Sequence, residues 1–349
     1  MSADASLEVV NDLDAASGEA FLCLPRAVYA DDPCWAPASE TLVAERFADA
    51  AEGRIRLHAV VAVVDGQAVA RAAAILEPAA VAPDGSPEGW IGLVECLPEP
   101  DAQTYGLAVL AHSRAWLAGQ GAGRIVGPRV DGLVAGLLVD GFDQPQVVFT
   151  AHNPTTAPAL WRAAGARTAT SMGSYRFSRD RVPVFPRRTA PGVRVRGADP
   201  ADLPGEIARV HAFQAEVFRG GVGHLSRTAE DTERLARRLL PLLDPALVLL
   251  AENRAGEVVG IMVCLPDAWQ PRSPGQPPDR ARLVSIGVRD GWRRTGVALA
   301  MGAELADRLL QRGYQYLEGS WVLGANRPPQ LLAAALQARS SRRFELLTF

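Results

Sequence analysis

The sequence predicts an α/β (α+β) protein made of two units of one design. Three observations predict it. Apolar runs of strand length take turns with longer stretches of helical periodicity along the whole chain. A proline-rich break from Arg181 to Gly192 divides the chain, and the element order after the break repeats the order before it. Towards the C-terminus an apolar run, Leu283 to Val288, passes through a basic, glycine-containing turn into a helical pattern ending near Arg312. The expected organisation is a first domain at 1–180, a linker at 181–192 and a second domain at 193–349.

In the first half a strand near Leu7–Val10 precedes a helix over Ala15–Ala30. Strands Arg56–Val64 and Gln67–Leu76 flank the turn Asp65-Gly66. Trp90–Leu97 reads as a strand, Ala102–Ala118 as a helix, and Arg124–Gly127 and Val147–Ala151 as strands. A helix over Asn153–Ala163 carries proline at its first position, and Thr168–Phe177 closes the half as a strand.

In the second half, Val193–Arg196 is the first strand and Leu203–Phe218 a helical region. Glu230–Leu243 is a second helix, with Leu235, Leu239, Leu240 and Leu243 on one face. Strands Ala246–Ala251 and Glu257–Leu265 flank the turn Asn253–Gly256, and the strand Arg282–Val288 follows a proline-rich loop. The helix from Gly296 to Arg312, a strand over Tyr314–Leu323, a helix over Asn326–Ala338 and a strand over Arg343–Thr348 complete the order.

Strand, basic turn and helix together hold a phosphate well. The first amides of a helix, here those of Val297 and Ala298, lack intrahelical partners, and the helix dipole is positive at that end. Gly296 permits close approach of a bulky anion to the backbone, and Arg293 and Arg294 add guanidinium charge.

This stretch resembles motif A of the GNAT acyltransferase superfamily, Arg/Gln-x-x-Gly-x-Gly/Ala after the fourth strand, with Arg293, Gly296 and Ala298 at the matching positions and Trp292 and Val288 before them. The whole second half follows the GNAT element order. The resemblance implies a mixed, mostly antiparallel sheet flanked by helices in each half. It also implies acetyl-CoA or another acyl-CoA as the ligand, its diphosphate held by Arg293, Arg294, Thr295, Gly296, Val297 and Ala298. In the family a splay between the fourth and fifth strands frees backbone amides for the pantetheine arm and the thioester oxygen; Ile286 and Val288 take that part here, the amide of Val288 or Ile286 being the candidate oxyanion donor and ordinary ladder bonding the competing reading. Asn326 stands where the family often contacts the coenzyme arm, and equally where a helix is capped. The tandem layout, Leu24–Tyr29 with Asp32–Trp35, Gly127–Asp143, and Glu318–Trp321 resemble a group of bacterial GNAT-like proteins over most of the chain.

Direct acyl transfer to an amine needs a base. Glu318 is the candidate, a carboxylate in an otherwise apolar strand, with a solvated or arginine-paired carboxylate as the competing reading. Trp292, Trp321, His224 and Glu216 are candidates for the acceptor pocket, and His224 lies in the glycine-rich segment Gly220–His224. One departure stands out: where many GNAT enzymes carry a tyrosine that protonates the leaving thiolate, this chain has Leu331–Ala335. The first half departs further. Between Leu97 and Tyr105 its turn is acidic and has no arginine, so that half is expected to be a degenerate copy that binds no coenzyme, with an unrelated α/β domain as the alternative.

The reading is an acyl-CoA-dependent N-acyltransferase acting on a small amine or amino-acid-like acceptor. Its rivals are a non-catalytic acyl-CoA sensor, favoured by the missing tyrosine, and an aminoacyl-tRNA-dependent transferase. A formal charge of −3 argues against a polyanionic partner such as tRNA. No segment has the length and apolarity of a membrane span, and the first residues lack a secretory pattern, so a cytoplasmic protein is expected, with room for a homodimer. Four cysteines without metal-like spacing read as reduced thiols, and no metal is expected. All 36 basic residues of the Lys+Arg count are arginine, which follows the chain's richness in Ala, Arg, Gly and Pro.

Overall fold

The computed structural model describes residues 5–131, 133–181, 190–218, 229–273, 275–335 and 337–349. In chain order the elements are β1 Ala5–Val10, α1 Ala16–Val28, α2 Thr41–Ala51, β2 Arg56–Val64, β3 Gln67–Val81, β4 Pro87–Cys96, α3 Pro100–Gly119, β5 Arg124–Gly127, β6 Leu137–Asp140, α4 Ala157–Ala163 and β7 Arg167–Ser178. There follow β8 Val193–Gly197, α5 Leu203–Val217, α6 Ala229–Leu239, β9 Val248–Asn253, β10 Val258–Pro266, β11 Arg280–Val288, α7 Val297–Gln311, β12 Tyr316–Leu323, α8 Arg327–Ala335 and β13 Arg339–Thr348.

The chain folds into two compact units, Met1–Gly173 with Arg342–Phe349, and Ser174–Ser341. The boundaries differ from the expected division in the terminal strands. The sheet of the first unit runs β1-β2-β3-β4-β5-β13, with β6 also on β13, so the last strand of the chain completes it. The sheet of the second unit runs β7-β12-β11-β10-β9-β8 and is completed by the end of β7. The end of β7, from Ser174, therefore belongs to the second unit, and most of β13, from Arg342, to the first. Both strands follow a helix and carry the same kind of alternation, so local pattern does not say which sheet receives them. Most of the expected linker, 182–189, lies outside the described residues.

Antiparallel pairing dominates both sheets, and each contains one parallel pair, β4 with β5 and β11 with β12. In the first unit α3 packs Val109, Leu110 and Leu117 onto one sheet face over Val60, Ala72, Ala74 and Ile91. The alanine run Ala72-Ala73-Ala74 lets that helix and α1 approach opposite faces of β3 closely, with Phe21 on the α1 side. In the second unit α7 packs Val297, Met301, Leu305 and Leu309 against Leu249, Ala251, Met262 and Ala281. Phe213 of α5 covers the opposite face with Leu250, Ile261 and Val263.

Four details depart from the expected elements. Helix α2 is additional; its neighbours Pro37 and Gly53 disguised a short amphipathic helix as loop. Strand β6 is also additional. The apolar run Val147–Ala151 forms a turn instead of a strand, because the Thr150 hydroxyl accepts from the Val147 amide at 3.1 Å and donates to the Val147 carbonyl at 2.7 Å. Helix α4 starts at Ala157, four residues later than expected, since the Asn153 side chain is engaged with the backbone of Leu138.

Candidate functional site

The central device of the second unit is a parallel pair that stops. Strands β11 and β12 stay in register from Arg280↔Tyr316 to Leu283↔Gly319. The ladder between β10 and β11 then slips, Cys264 opposing Leu283 and Val263 opposing Ser285, so Val284 is an extra residue in β11. Beyond this bulge β11 keeps its β10 partner. The Arg289 amide donates to the Val259 carbonyl at 3.0 Å. Alternation along the strand then directs the amides of Ile286 and Val288 to the other edge, the one β12 has left. These are the two residues expected to offer free amides.

The turn after β11 has the backbone of an anion loop. Arg294 is left-handed at φ 65°, and so is Gly296 at φ 93°. Gly296 is the N-cap of α7, which has no side-chain cap and no acidic residue in its first turn. The amides of Val297 and Ala298 are thus left to solvent or a ligand. The Thr295 hydroxyl donates to the Trp292 carbonyl at 2.7 Å, closing the turn. Arg293 reaches the Val288 carbonyl at 3.4 Å and pairs with Asp290 at 2.9 Å, both side chains mostly exposed. Arg294 is exposed too. An exposed pair of that kind is worth little and exchanges readily for a phosphate.

The corresponding helix of the first unit is arranged oppositely. Its N-cap is Glu99, its first residue is proline, which has no N–H, and Asp101 occupies the first turn. The dipole of α3 is already answered by the chain's own carboxylates, so a phosphate gains little there.

On the α5 side of the second unit's sheet lies a polar group. Glu318 and Arg282 occupy one register position on adjacent strands and are both buried. Arg282 donates to the Ser320 hydroxyl at 2.9 Å and to its carbonyl at 3.3 Å, and its guanidinium lies 4.9 Å from the Trp321 ring centroid. Gln214 of α5 donates to the Ser285 hydroxyl at 3.0 Å, beside the bulge. A Cβ on Gly287 would come within 2.9 Å of Phe213, so glycine is what lets α5 pack here. Glu318 therefore stands at the mouth of the splay, and its neighbourhood holds a buried cation, closer to the competing reading of that residue than to an isolated carboxylate.

Other candidates are dispersed. Trp292 packs against the α7 core cluster instead of joining Glu318. An aromatic beside a strand is more often core than pocket, and the apolar side of α7 claims it. Glu216 is an exposed partner of Arg289 at 2.9 Å. Asn326 is exposed and directly precedes α8, its amide donating to the Leu323 carbonyl at 2.9 Å. His224 lies outside the described residues.

Two cavities escaped the sequence reading. One is an apolar trough of about 100 Å³ along α7, lined by Ala298, Gly302, Ala306, Leu310, Leu283 and Leu317 among others. Its signal was the first half of α7, residues 297–303, which has no charged or amide side chain on any face. The other, in the first unit, mixes apolar walls with Arg71, Glu95, Gln146 and His152; Asp32, bonded to His152 from 120 residues away in sequence, backs it, a pairing invisible to motif reading.

No protein-family model matches the chain. Over 93% of its length the chain is 25% identical to a Caulobacter vibrioides protein named bacterial ceramide synthase, and it spans 93% of that protein. Among solved structures, the GCN5-related glucosamine N-acetyltransferase region of a fungal multi-domain GH3 beta-N-acetylglucosaminidase matches the whole chain with a TM-score of 0.68 at 14% identity, the chain spanning 38% of that longer protein. A tandem GNAT protein from the clavulanic acid biosynthesis pathway matches 99% of this chain and 98% of its own, with a TM-score of 0.63 at 15% identity. The fold is thus that of the GCN5-related N-acetyltransferases, in tandem. Among the described residues no helix is long and apolar enough to cross a membrane.

Proposed function

We propose that the chain is an acyl-CoA-dependent N-acyltransferase whose donor site is the splay and turn of the second unit. One observation carries the reading: an uncapped helix N-terminus at a left-handed Gly296, flanked by exposed Arg293 and Arg294, immediately follows a strand whose Ile286 and Val288 amides have lost their β12 neighbour. The diphosphate of the coenzyme takes the first-turn amides and the two guanidiniums. The pantetheine arm then replaces β12 as the hydrogen-bonding partner of β11. A Val288 amide held at the thioester oxygen stabilises the negative charge that develops there. The amine attacks the carbonyl carbon, the C–S bond breaks, and the proton of the amine leaves to a base, for which Glu318 at the mouth of the splay is the candidate. The products are an amide and the free thiol of the coenzyme.

The trough along α7 bears on the acyl group. It shares Ala298 with the diphosphate turn and offers hydrocarbon walls, as a fatty acyl chain requires. The name of the Caulobacter relative points the same way, since a ceramide is the amide of a fatty acid and a long-chain amino alcohol. Calorimetry with coenzyme A, acetyl-CoA and palmitoyl-CoA, followed by thiol-release assays with amino alcohols and amino acids, tests the reading. Binding of all three with tighter binding of palmitoyl-CoA, and thiol release that depends on an amine, is expected. Absence of coenzyme binding would overturn the donor site; binding without amine-dependent thiol release would make the chain an acyl-CoA sensor.

A further inference from the structure

The half of the chain without an anion loop contains a cavity of about 90 Å³ whose apolar walls carry several buried polar side chains. It lies where β4 breaks from β5. The parallel pair holds from Glu88↔Arg124 to Trp90↔Val126, and β4 then bulges at Leu93, which adopts φ 51°. The cavity is therefore the first unit's counterpart of the splay in the second.

Its polar lining is buried and almost wholly satisfied. Arg71 donates to Glu95 at 2.6 Å and to the Phe21 carbonyl. Arg129 donates to the Asp131 carbonyl at 3.2 Å, pairs with Glu88 at 3.6 Å and covers the Trp90 ring. Gln146 accepts from the Ala36 amide at 3.0 Å and donates to the Thr150 carbonyl at 2.7 Å. The exception is His152. Its Nε2 is 2.7 Å from Asp32 Oδ2, its side chain is 1% exposed, and its Nδ1 has no partner. Asp32 also accepts from the Cys34 amide at 2.8 Å, which fixes its orientation. A carboxylate accepts only, so Nε2 carries a proton; burial lowers the imidazole's pKa and favours the neutral ring, in which Nδ1 presents a lone pair. Tyr29, stacked on Trp35 at 4.9 Å, lines the same cavity and donates to the His152 carbonyl at 3.3 Å.

Three features select the ligand. The unsatisfied group is an acceptor, so the ligand brings an N–H or O–H. Arg71 is matched by Glu95, and Glu88 serves both Arg129 and Arg124; at His152 itself the influence of Asp32 exceeds that of the buried Arg342, so the local field favours a cation. Two stacked aromatic rings complete a lining that favours a cation. At about 10–15 Å³ for each water-sized group, the cavity has room for on the order of half a dozen non-hydrogen atoms. We propose that this cavity binds the ammonium head of a small primary amine, which donates to His152 Nδ1, with Asp32 behind the imidazole supplying the compensating charge. The proposal stands independently of the acyl-CoA reading, since every residue it uses lies in the first unit.

The test uses the full chain, 2-aminoethanol and ethylamine as probes, and tetramethylammonium and ethylene glycol as controls without N–H and without charge. His152→Gln keeps an amide that can reach Asp32 and removes the acceptor at Nδ1. Millimolar or tighter binding of the primary amines, at least tenfold weaker binding of both controls, and at least a tenfold loss in His152→Gln are expected. In the native chain, ring resonances of His152, one of only five histidines, move on adding 2-aminoethanol. That readout holds even where the variant misfolds. Binding unchanged by His152→Gln, equal binding of tetramethylammonium, or still His152 resonances would overturn the proposal. Loss of coenzyme binding with amine binding retained would remove the donor reading alone.

Discussion

Replacing three neighbouring residues, Asp290, Arg293 and Arg294, tests the donor turn through the sign of each effect. No ion pair of Arg294 is recorded among the described residues, so its guanidinium is available to a diphosphate without breaking anything. A hydrogen bond to a charged partner contributes about 1.5–3 kcal/mol. Arg294→Ala should therefore weaken coenzyme A binding by roughly 10- to 100-fold, nearer the lower figure at physiological salt because the site is exposed. Arg293 must first leave Asp290, at a cost of up to about 1 kcal/mol for an exposed pair. Arg293→Ala should then cost less, roughly 3- to 30-fold. Asp290→Ala removes a competing carboxylate and releases Arg293, so it should tighten binding by up to about fivefold. The assay is calorimetric titration with coenzyme A at low and high salt, and the arginine effects should shrink as salt rises. An Arg294→Ala variant that binds normally, or an Asp290→Ala variant that binds more weakly, would refute the placement of the diphosphate.

Further outcomes follow from single residues. Arg294→Gly relieves a left-handed non-glycine conformation that costs about 1–2 kcal/mol, partly offset by glycine's unfolded-state entropy; thermal stability should rise slightly while coenzyme binding falls, and a fall in both would contradict the assignment. Burial, ahead of the opposing influence of Asp32, holds His152 below the usual histidine value. Its folded pKa is depressed, so stability is complete above about pH 6.5 and declines as the pH drops through the folded value, with a slope of at most about 1.4 kcal/mol per pH unit. Chemical unfolding between pH 7.5 and 5 should show that decline, and His152→Gln should reduce it, leaving a remainder from His58, which burial and His112 also hold low. Ala306→Trp fills the trough along α7; if it displaces a few methylenes at about 0.8 kcal/mol each, partly exposed, palmitoyl-CoA should bind about tenfold more weakly and acetyl-CoA unchanged. Among the thiols, Cys23 is exposed, while burial pushes Cys96 up to about 11 and Cys264 higher still. Alkylation at pH 8, read by mass spectrometry of peptides, should modify Cys23 quickly and Cys96 and Cys264 only after unfolding.

The sequence was most informative where chemistry is local. The turn after β11 was legible because a helix N-terminus, a glycine and two arginines act within six residues, and backbone dihedrals at Arg294 and Gly296 bear out the turn geometry. Ile286 and Val288 came from the family resemblance; the direction of their amides follows from the Arg289 amide's bond to Val259, which only the fold shows. The strand exchange was not legible, since β7 and β13 differ in partner and not in pattern. Nor was the first unit's cavity: Asp32 follows one expected helix and His152 falls between an expected strand and an expected helix, and only the fold brings them to 2.7 Å. Glu318 was found by its apolar strand, yet Arg282, 36 residues earlier, was missed because parallel register depends on the crossover helix between them.

The two units use the same backbone event, a parallel pair that ends near a bulge, with opposite electrostatics. In the second unit recognition is carried by amides and exposed guanidiniums at a helix start, which suits a highly charged, solvated group and tolerates many anions. In the first the equivalent helix start is closed by Glu99, Pro100 and Asp101, and the polar groups lie inside, beside β4. A buried lining of that kind is costly unless each group is satisfied, and all but one of its hydrogen-bonding groups is accounted for by the chain itself. Within that lining His152 keeps an open hydrogen-bonding position at Nδ1, while Asp32 orders both its Nε2 and the Cys34 amide, so a donor arriving at Nδ1 would complete the set.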